Sequence, residues 1–252
     1  MYFTQDKITE IFYLTNKFCT EFQKSISGHL LGNSTKKKPI ISQSEVICIL
    51  IIFHCMQHKN IKHFYLNYVQ KHLIHLFLNT VSYNCFVELS QQVILPMTMF
   101  LKMQCLGECT GITYVDSTPI RVCNKKRIKR NKIFKDIAAV GKSIMGWFYG
   151  FKLHLIVNEK VGILNFVITQ GNVDDRAPLN DSKFLSKIKG KLYGDKGYIS
   201  AKLTQLLFVD GVQLITGIRD KMKNCLLELK DKILLRKRSV IETINDELKN
   251  IC

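Results

Sequence analysis

Apolar residues recur at helical steps through roughly the first 110 positions. Ile8, Ile11, Phe12, Phe18, Phe22 and Ile26 stand three, four or six residues apart, the spacing of one helix face. A loop is expected at Gly32-Asn-Ser-Thr-Lys-Lys-Lys-Pro39. Ser42-Gln-Ser-Glu45 has the form of a capping box opening a helix through Val46–His58. Further helical stretches are expected at 60–79 and 83–104. This all-helical region, set at 1–108, contains no arginine. It suits a DNA-binding or dimerising module as well as an ordinary packing domain, and no recognition helix stands out.

After Gly107 the period changes to two. Ile112–Val115 reads as a strand ending at Asp116. In Trp147–Val157, Phe151, Leu153, Leu155 and Val157 alternate with Lys152, His154 and Ile156. A turn at Asn158–Gly162 leads into a return strand at Ile163–Thr169. A helix near 179–188, a strand at Lys191–Tyr193, a helix capped by Ser200, a strand at Val212–Thr216 and a last helix from about Arg236 complete the order. An antiparallel meander followed by strands alternating with helices is an α/β arrangement, assigned to 109–252.

Charge and cysteines narrow the partners and the compartment. Lys and Arg outnumber Asp and Glu by 37 to 20, a formal charge of +17, which favours a polyanion through counterion release, though an acidic protein or membrane surface would also answer it. The nine cysteines are odd in number and irregularly spaced, and most lie in apolar runs where a thiol acts as a small hydrophobe. The first ten residues lack a signal peptide's basic and apolar regions, and Val46–Phe53 is too short to span a bilayer. A cytoplasmic, nucleoid-associated protein is expected.

Three carboxylates fall at structural junctions. Asp116 closes the first strand in Tyr114-Val-Asp-Ser-Thr-Pro119. Asp195 follows a short strand in Leu192-Tyr-Gly-Asp-Lys-Gly-Tyr198. Glu242 lies in the last helix, where Ile241, Ile244, Leu248 and Ile251 form the apolar stripe. Arg238, Glu242, Asn245 and Lys249 share its polar face. Carboxylates delivered by separate rigid elements can hold hard divalent cations for phosphoryl transfer. Taken singly, however, an Asp at a strand end is more often a turn or cap residue, and Arg238–Glu242 could be a routine i,i+4 pair. The run of Lys125, Lys126, Arg127, Lys129, Arg130 and Lys132 reads either as a solvated loop or as a grip on backbone phosphates.

Together these segments resemble the DDE transposases of bacterial insertion sequences, and most closely insertion-sequence family 982. The matching stretches are Tyr114–Ile120, Gly141–Leu155, Gly171-Asn-Val-Asp-Asp175, Tyr193–Tyr198 and Arg238-Ser-Val-Ile-Glu-Thr-Ile-Asn-Asp-Glu-Leu-Lys249. Five stretches in the family's order carry the resemblance jointly, strongly over 110–252. It implies an RNase H-like catalytic domain in which Asp116, Asp195 and Glu242 bind two Mg²⁺ ions, with Mn²⁺ able to substitute. It also implies double-stranded DNA partners, namely the element's terminal inverted repeats and target DNA, and a homodimer or higher multimer. Arg238 and Lys249 match the basic members of the family's C-terminal signature, while Leu235 stands where many relatives carry Tyr.

Asp174 and Asp175 are expected to shape a loop or support the site indirectly. His54-Cys55-Met-Gln-His58 and Cys105-x-x-x-Cys109 lack partners at zinc-like spacing. Tyr198 lacks the arginines and histidine of a tyrosine recombinase, and no phosphate-binding glycine loop occurs. The chain stops ten residues after Glu242, which reads as a truncation. An inactive DNA-binding remnant and a related RNase H-like nuclease therefore stand as alternatives to an active transposase.

Overall fold

A computed structural model describes residues 4–27, 40–143, 146–218 and 227–251. The expected loop at 32–39 lies outside the described residues. The chain divides into two compact units, Met1–Cys105 and Leu106–Cys252.

The first unit is helical. Helix α1 spans Gln5–Ser27 and α2 spans Gln43–Cys55. The capping box forms as its sequence implies: the Ser42 side chain accepts from the Glu45 amide, and Glu45 accepts from the Ser42 amide at 2.7 Å. The helical stretch expected over 60–79 winds through α3 (Ile61–His63), a π-helical segment (Phe64–Val69) and α4 (Gln70–His72), where it ends. Phe64, Tyr65 and Val69 of the π-helical segment are buried in the core. There Tyr65 stacks on Phe86 at 4.2 Å and its hydroxyl donates to the Val81 carbonyl. The stretch over 83–104 breaks at Val93 into α5 (Tyr83–Gln92) and α6 (Ile94–Phe100), followed by a π-helical Leu101–Cys105. The described cysteines are free thiols, and burial pushes the Cys48 thiol up to about 12. Among the described residues no helix is long and apolar enough to cross a membrane.

The second unit is built on one mixed sheet. Its strands are β1 (Ile112–Cys123), β2 (Ala139–Ser143), β3 (Gly146–Asn158), β4 (Ile163–Gln170), β5 (Gly190–Gly194) and β6 (Val212–Thr216). Antiparallel β4 and β1 flank β3, and β5 and β6 continue in parallel beyond β1. β2 pairs with the opening of β3 and runs on from β4 along the same edge. The two strands meet closely, because a Cβ at Gly141 would land on the Gly171 carbonyl. This is the RNase H-like arrangement, a meander followed by parallel strands.

Strand β1 is much longer than its apolar run suggests, since it passes through Pro119 to Cys123. Proline is tolerated because β5 pairs only with Ile112–Tyr114. Beyond that point one edge of β1 has no ladder neighbour that needs an N–H. β2, with a glycine at its centre and little alternation, gives no strand pattern in the sequence.

Each face of the sheet is covered by helices. Val115, Ile156, Leu192 and Leu214 pack with Phe184 and Leu185 of α7 (Ser182–Leu185) and with Leu203 and Leu207 of α8 (Ala201–Val209). On the other face Tyr114, Leu155, Val157, Tyr193 and Ile215 meet Ile241 and Ile244 of α10 (Ser239–Ile251). Burying each of those isoleucines contributes roughly 1.5–3 kcal/mol. The expected single last helix is preceded by a separate α9 (Leu229–Lys237), with the break at Arg238. The Ile251 side chain lies outside the described residues.

Helix α9 is tied down by charge. Buried Asp231 accepts from Lys191 Nζ at 2.8 Å and from the Tyr193 hydroxyl at 2.7 Å. The lysine hydrogen bond, foremost, holds its carboxyl below the usual range. Asp231→Ala strands a buried phenol and is expected to cost about 1–3 kcal/mol, read as a lower urea midpoint. An unchanged midpoint would show that α9 is not anchored through this contact.

Candidate active site

The cleft forms where β1 and β5 part company. Their parallel pairing ends at Tyr114 and Tyr193, and the next residues carry the acids. Side chains alternate along β1, so Asp116 points to the same face as Tyr114, towards α10. It therefore sits within a strand rather than at the end of one. Asp195 follows Gly194 and caps the short 3-10 turn Lys196–Tyr198, its Oδ1 accepting from the Gly197 amide at 2.8 Å. A Cβ at residue 197 would stand 2.9 Å from that same carboxylate oxygen and displace it. Glu242 lies in the first turn of α10.

Asp116, Asp195 and Glu242 line one cavity of about 610 Å³, together with Arg238, Lys249, Asn245, Lys152 and Asp175. The structure thus brings the three sequence-selected acids and both signature cations to one place. Asn245 Nδ2 donates to Asp116 Oδ2 at 2.9 Å. Arg238 reaches Asp116 Oδ1 at 3.9 Å and Glu242 Oε1 at 2.9 Å. Lys249 pairs with Asp246 at 3.4 Å. Burial raises the Asp116 carboxyl to about 6; Arg238 and the Ser117 amide work against this, and the neighbouring Asp195 and Glu242 add to it.

The donors suit a hard divalent cation in kind, being oxygen carboxylates that repel one another until a cation joins them. Their present separation does not suit one equally well. Among the described residues no group of three or more His, Cys, Asp or Glu is gathered closely enough to hold a metal ion. In the cleft, a guanidinium lies between two of the acids.

Lys152 gains an importance that the sequence did not signal, and Asn245 and Asp175, expected on the polar face of the last helix and in a loop or supporting role, both line the cleft. Asn245 belongs to the polar face of α10, yet it is buried because β1 passes beneath that face. Lys152 donates to the Val173 carbonyl and to Asp175 Oδ1, both at 2.8 Å. This carries the loop after β4 back over the middle of β3, whose Lys152 pairs with Pro119 of β1. Asp175 is thereby a cleft residue. Asp174 shapes the loop by accepting from the Arg176 side chain and amide, and those hydrogen bonds hold its carboxyl down to about 2.

Tyr198 is buried beside the Ser117 side chain, and its hydroxyl completes no hydrogen bond. Burial foremost, and the neighbouring acids next, push its phenol far above the usual range, a poor state for a nucleophile. The basic run forms a 3-10 helix, Lys125–Arg130. Lys126, Arg127, Lys129, Arg130 and Lys132 are exposed and none lines the cleft; the Lys125 side chain lies outside the described residues.

Residues 106–252 match the family model of the transposase DDE domain. That match covers more than half of the sequence, and the chain belongs to the DDE transposase family. Such enzymes generally use divalent metals. Among solved structures, the chain is similar to a chain in the cryo-EM structure of the piggyBac transposase synaptic complex with hairpin DNA. The identity is 13% and the TM-score 0.43, over 89% of this chain and 51% of the other. The present chain thus spans about half the length of that protein. No curated protein matches the sequence.

Proposed function

We propose that this protein is a transposase of insertion-sequence family 982. In this reading it cleaves double-stranded DNA at the element's inverted-repeat ends and transfers the freed 3′-hydroxyl to target DNA. Asp116, Asp195 and Glu242 would hold two divalent ions, Mg²⁺ or in its place Mn²⁺. When bound, those ions supply an activated water oxygen and charge stabilisation for the departing 3′-oxygen. The observation that carries the reading is the convergence of acids from β1, the turn after β5 and α10 on one cleft beside Arg238 and Lys249.

The chain's own residues bind and orient. Asn245 steadies Asp116 through one carboxylate oxygen. Arg238 and Lys249 receive phosphates next to the scissile bond, Arg238 with the two-pronged geometry that phosphates favour. Lys125, Lys126, Arg127, Lys129, Arg130 and Lys132 grip the backbone further along without reading sequence. Water attacks the phosphorus, leaving a 5′-phosphate and a 3′-hydroxyl. That hydroxyl then attacks a target phosphodiester, and the broken target strand leaves with its own 3′-hydroxyl, so the number of phosphodiester bonds is conserved in the joining step. The helical unit serves DNA binding or dimerisation, in a homodimer or larger assembly at the nucleoid.

The test is strand joining. A duplex ending in the element's inverted repeat, incubated with a target plasmid and Mg²⁺, is expected to yield end–plasmid joints. Indiscriminate nicking of any duplex with no joints would instead identify an RNase H-like nuclease.

A further inference from the structure

We propose that Arg238 is a gate which couples DNA binding to metal binding: it bridges Asp116 and Glu242 until a DNA phosphate draws it away. The proposal rests on the reading of the cleft as a divalent-metal site and deepens it. Arg238 stands at the break between α9 and α10, so its side chain reaches the cleft from a junction instead of a helix interior. The guanidinium hydrogen-bonds Glu242 at 2.9 Å and lies 3.9 Å from Asp116. It thus neutralises from within two of the three acids that an external cation would have to join.

An ordinary i,i+4 pair on a solvated helix is worth little. This one differs because it has a second partner and is partly sheltered: the Arg238 and Asp116 side chains are 22% and 19% exposed. Its departure would leave Asp116 where it stands, because Asn245 holds the carboxylate's other oxygen from α10. Glu242, 54% exposed, is free to swing once released. A phosphate is the fitting competitor. It offers the guanidinium two oxygens in the same forked geometry as a carboxylate, and Lys249 and Lys142, which also line the cleft, would bring it close.

Without DNA the acids thus stay engaged by Arg238 and compete poorly for metal. With DNA in place, Arg238 changes partner and the acids become available. Coupling between two ligands is reciprocal, so metal must strengthen DNA binding by the same factor.

Mn²⁺ binding to the full chain without DNA, followed by the electron paramagnetic resonance of the free ion, tests the gate. Arg238→Gln is expected to tighten Mn²⁺ binding about tenfold, the lower end of what one opposite charge does to a carboxylate. Lys249→Gln removes the same charge from the same cleft and is expected to change it little. Arg238→Lys, which keeps the charge and loses the fork, should fall between. In fluorescence anisotropy with an inverted-repeat duplex, Ca²⁺ should tighten DNA binding by wild type by a larger factor than by Arg238→Gln. Equal shifts for Arg238→Gln and Lys249→Gln, or no tightening in Arg238→Gln, overturn the gate while leaving the metal site standing. Mn²⁺ binding that survives Asp116→Asn at full strength overturns the metal-site reading and the gate with it.

Discussion

Asp116→Asn and Asp195→Asn are each expected to lower the rate of DNA cleavage by roughly a thousandfold or more, the scale set by removing one preorganised electrostatic group from a reacting centre. The affinity for an inverted-repeat duplex should change little. The substitutions preserve shape and remove charge, while Arg238, Lys249 and the exposed basic run remain to meet phosphates. Glu242→Gln should fall in the same class. Rates from single-turnover cleavage and affinities from anisotropy separate the two effects. A variant that cuts normally would remove its residue from the site, and one that neither binds nor cuts would point to a folding defect.

The second large effect is on stability and carries a definite sign with pH. In the folded chain the Asp116 carboxyl is raised to about 6 from an ordinary value of 3.8. The fold therefore holds the proton more tightly than the unfolded chain does, and ionisation at neutral pH costs stability. The penalty is absent below about pH 4, grows between 4 and 6, and is complete above the folded value. Asp116→Asn removes it. Without metal at pH 7.5 this variant should be more stable than the wild type by about 1–3 kcal/mol, and at pH 4 the two should coincide. Urea unfolding at both values decides the matter. Equal midpoints at pH 7.5 would mean that Arg238 and Asn245 already compensate the buried charge. Site acids that destabilise the empty fold are what a metal centre costs when its cation is supplied from outside.

Much of this arrangement was legible from period and spacing. The alternation of Phe151, Leu153, Leu155 and Val157 located β3, and Ser42 with Glu45 located the start of α2. Ile241, Ile244 and Leu248 fixed which face of α10 meets the sheet. What escaped were features set by neighbours distant in sequence. Pro119 reads as a strand stop, and only the early end of β5 explains why β1 continues through it. Asn245 reads as one member of a polar face, either solvated or functional, and its helix gives no sign that Asp116 lies beneath it. The hints were its place on the face that carries Glu242 and its position beside Ile244, at the border of the apolar stripe. Asp175 reads as a loop or supporting residue, and only Lys152, on a strand paired with β1, shows that it reaches the cleft. The helical stretch expected over 60–79 was found but ends early, at His72, with a π-helical segment at its centre that apolar spacing does not reveal.

The most direct measurement is cleavage of an end-labelled duplex carrying the inverted repeat by this chain, with Mg²⁺ or Mn²⁺ present and with the metal removed by chelation. The account predicts nicking at the element's end that requires the metal and disappears in Asp116→Asn. Cleavage that persists in the chelator, or that Asp116→Asn performs as well as the wild type, would contradict it.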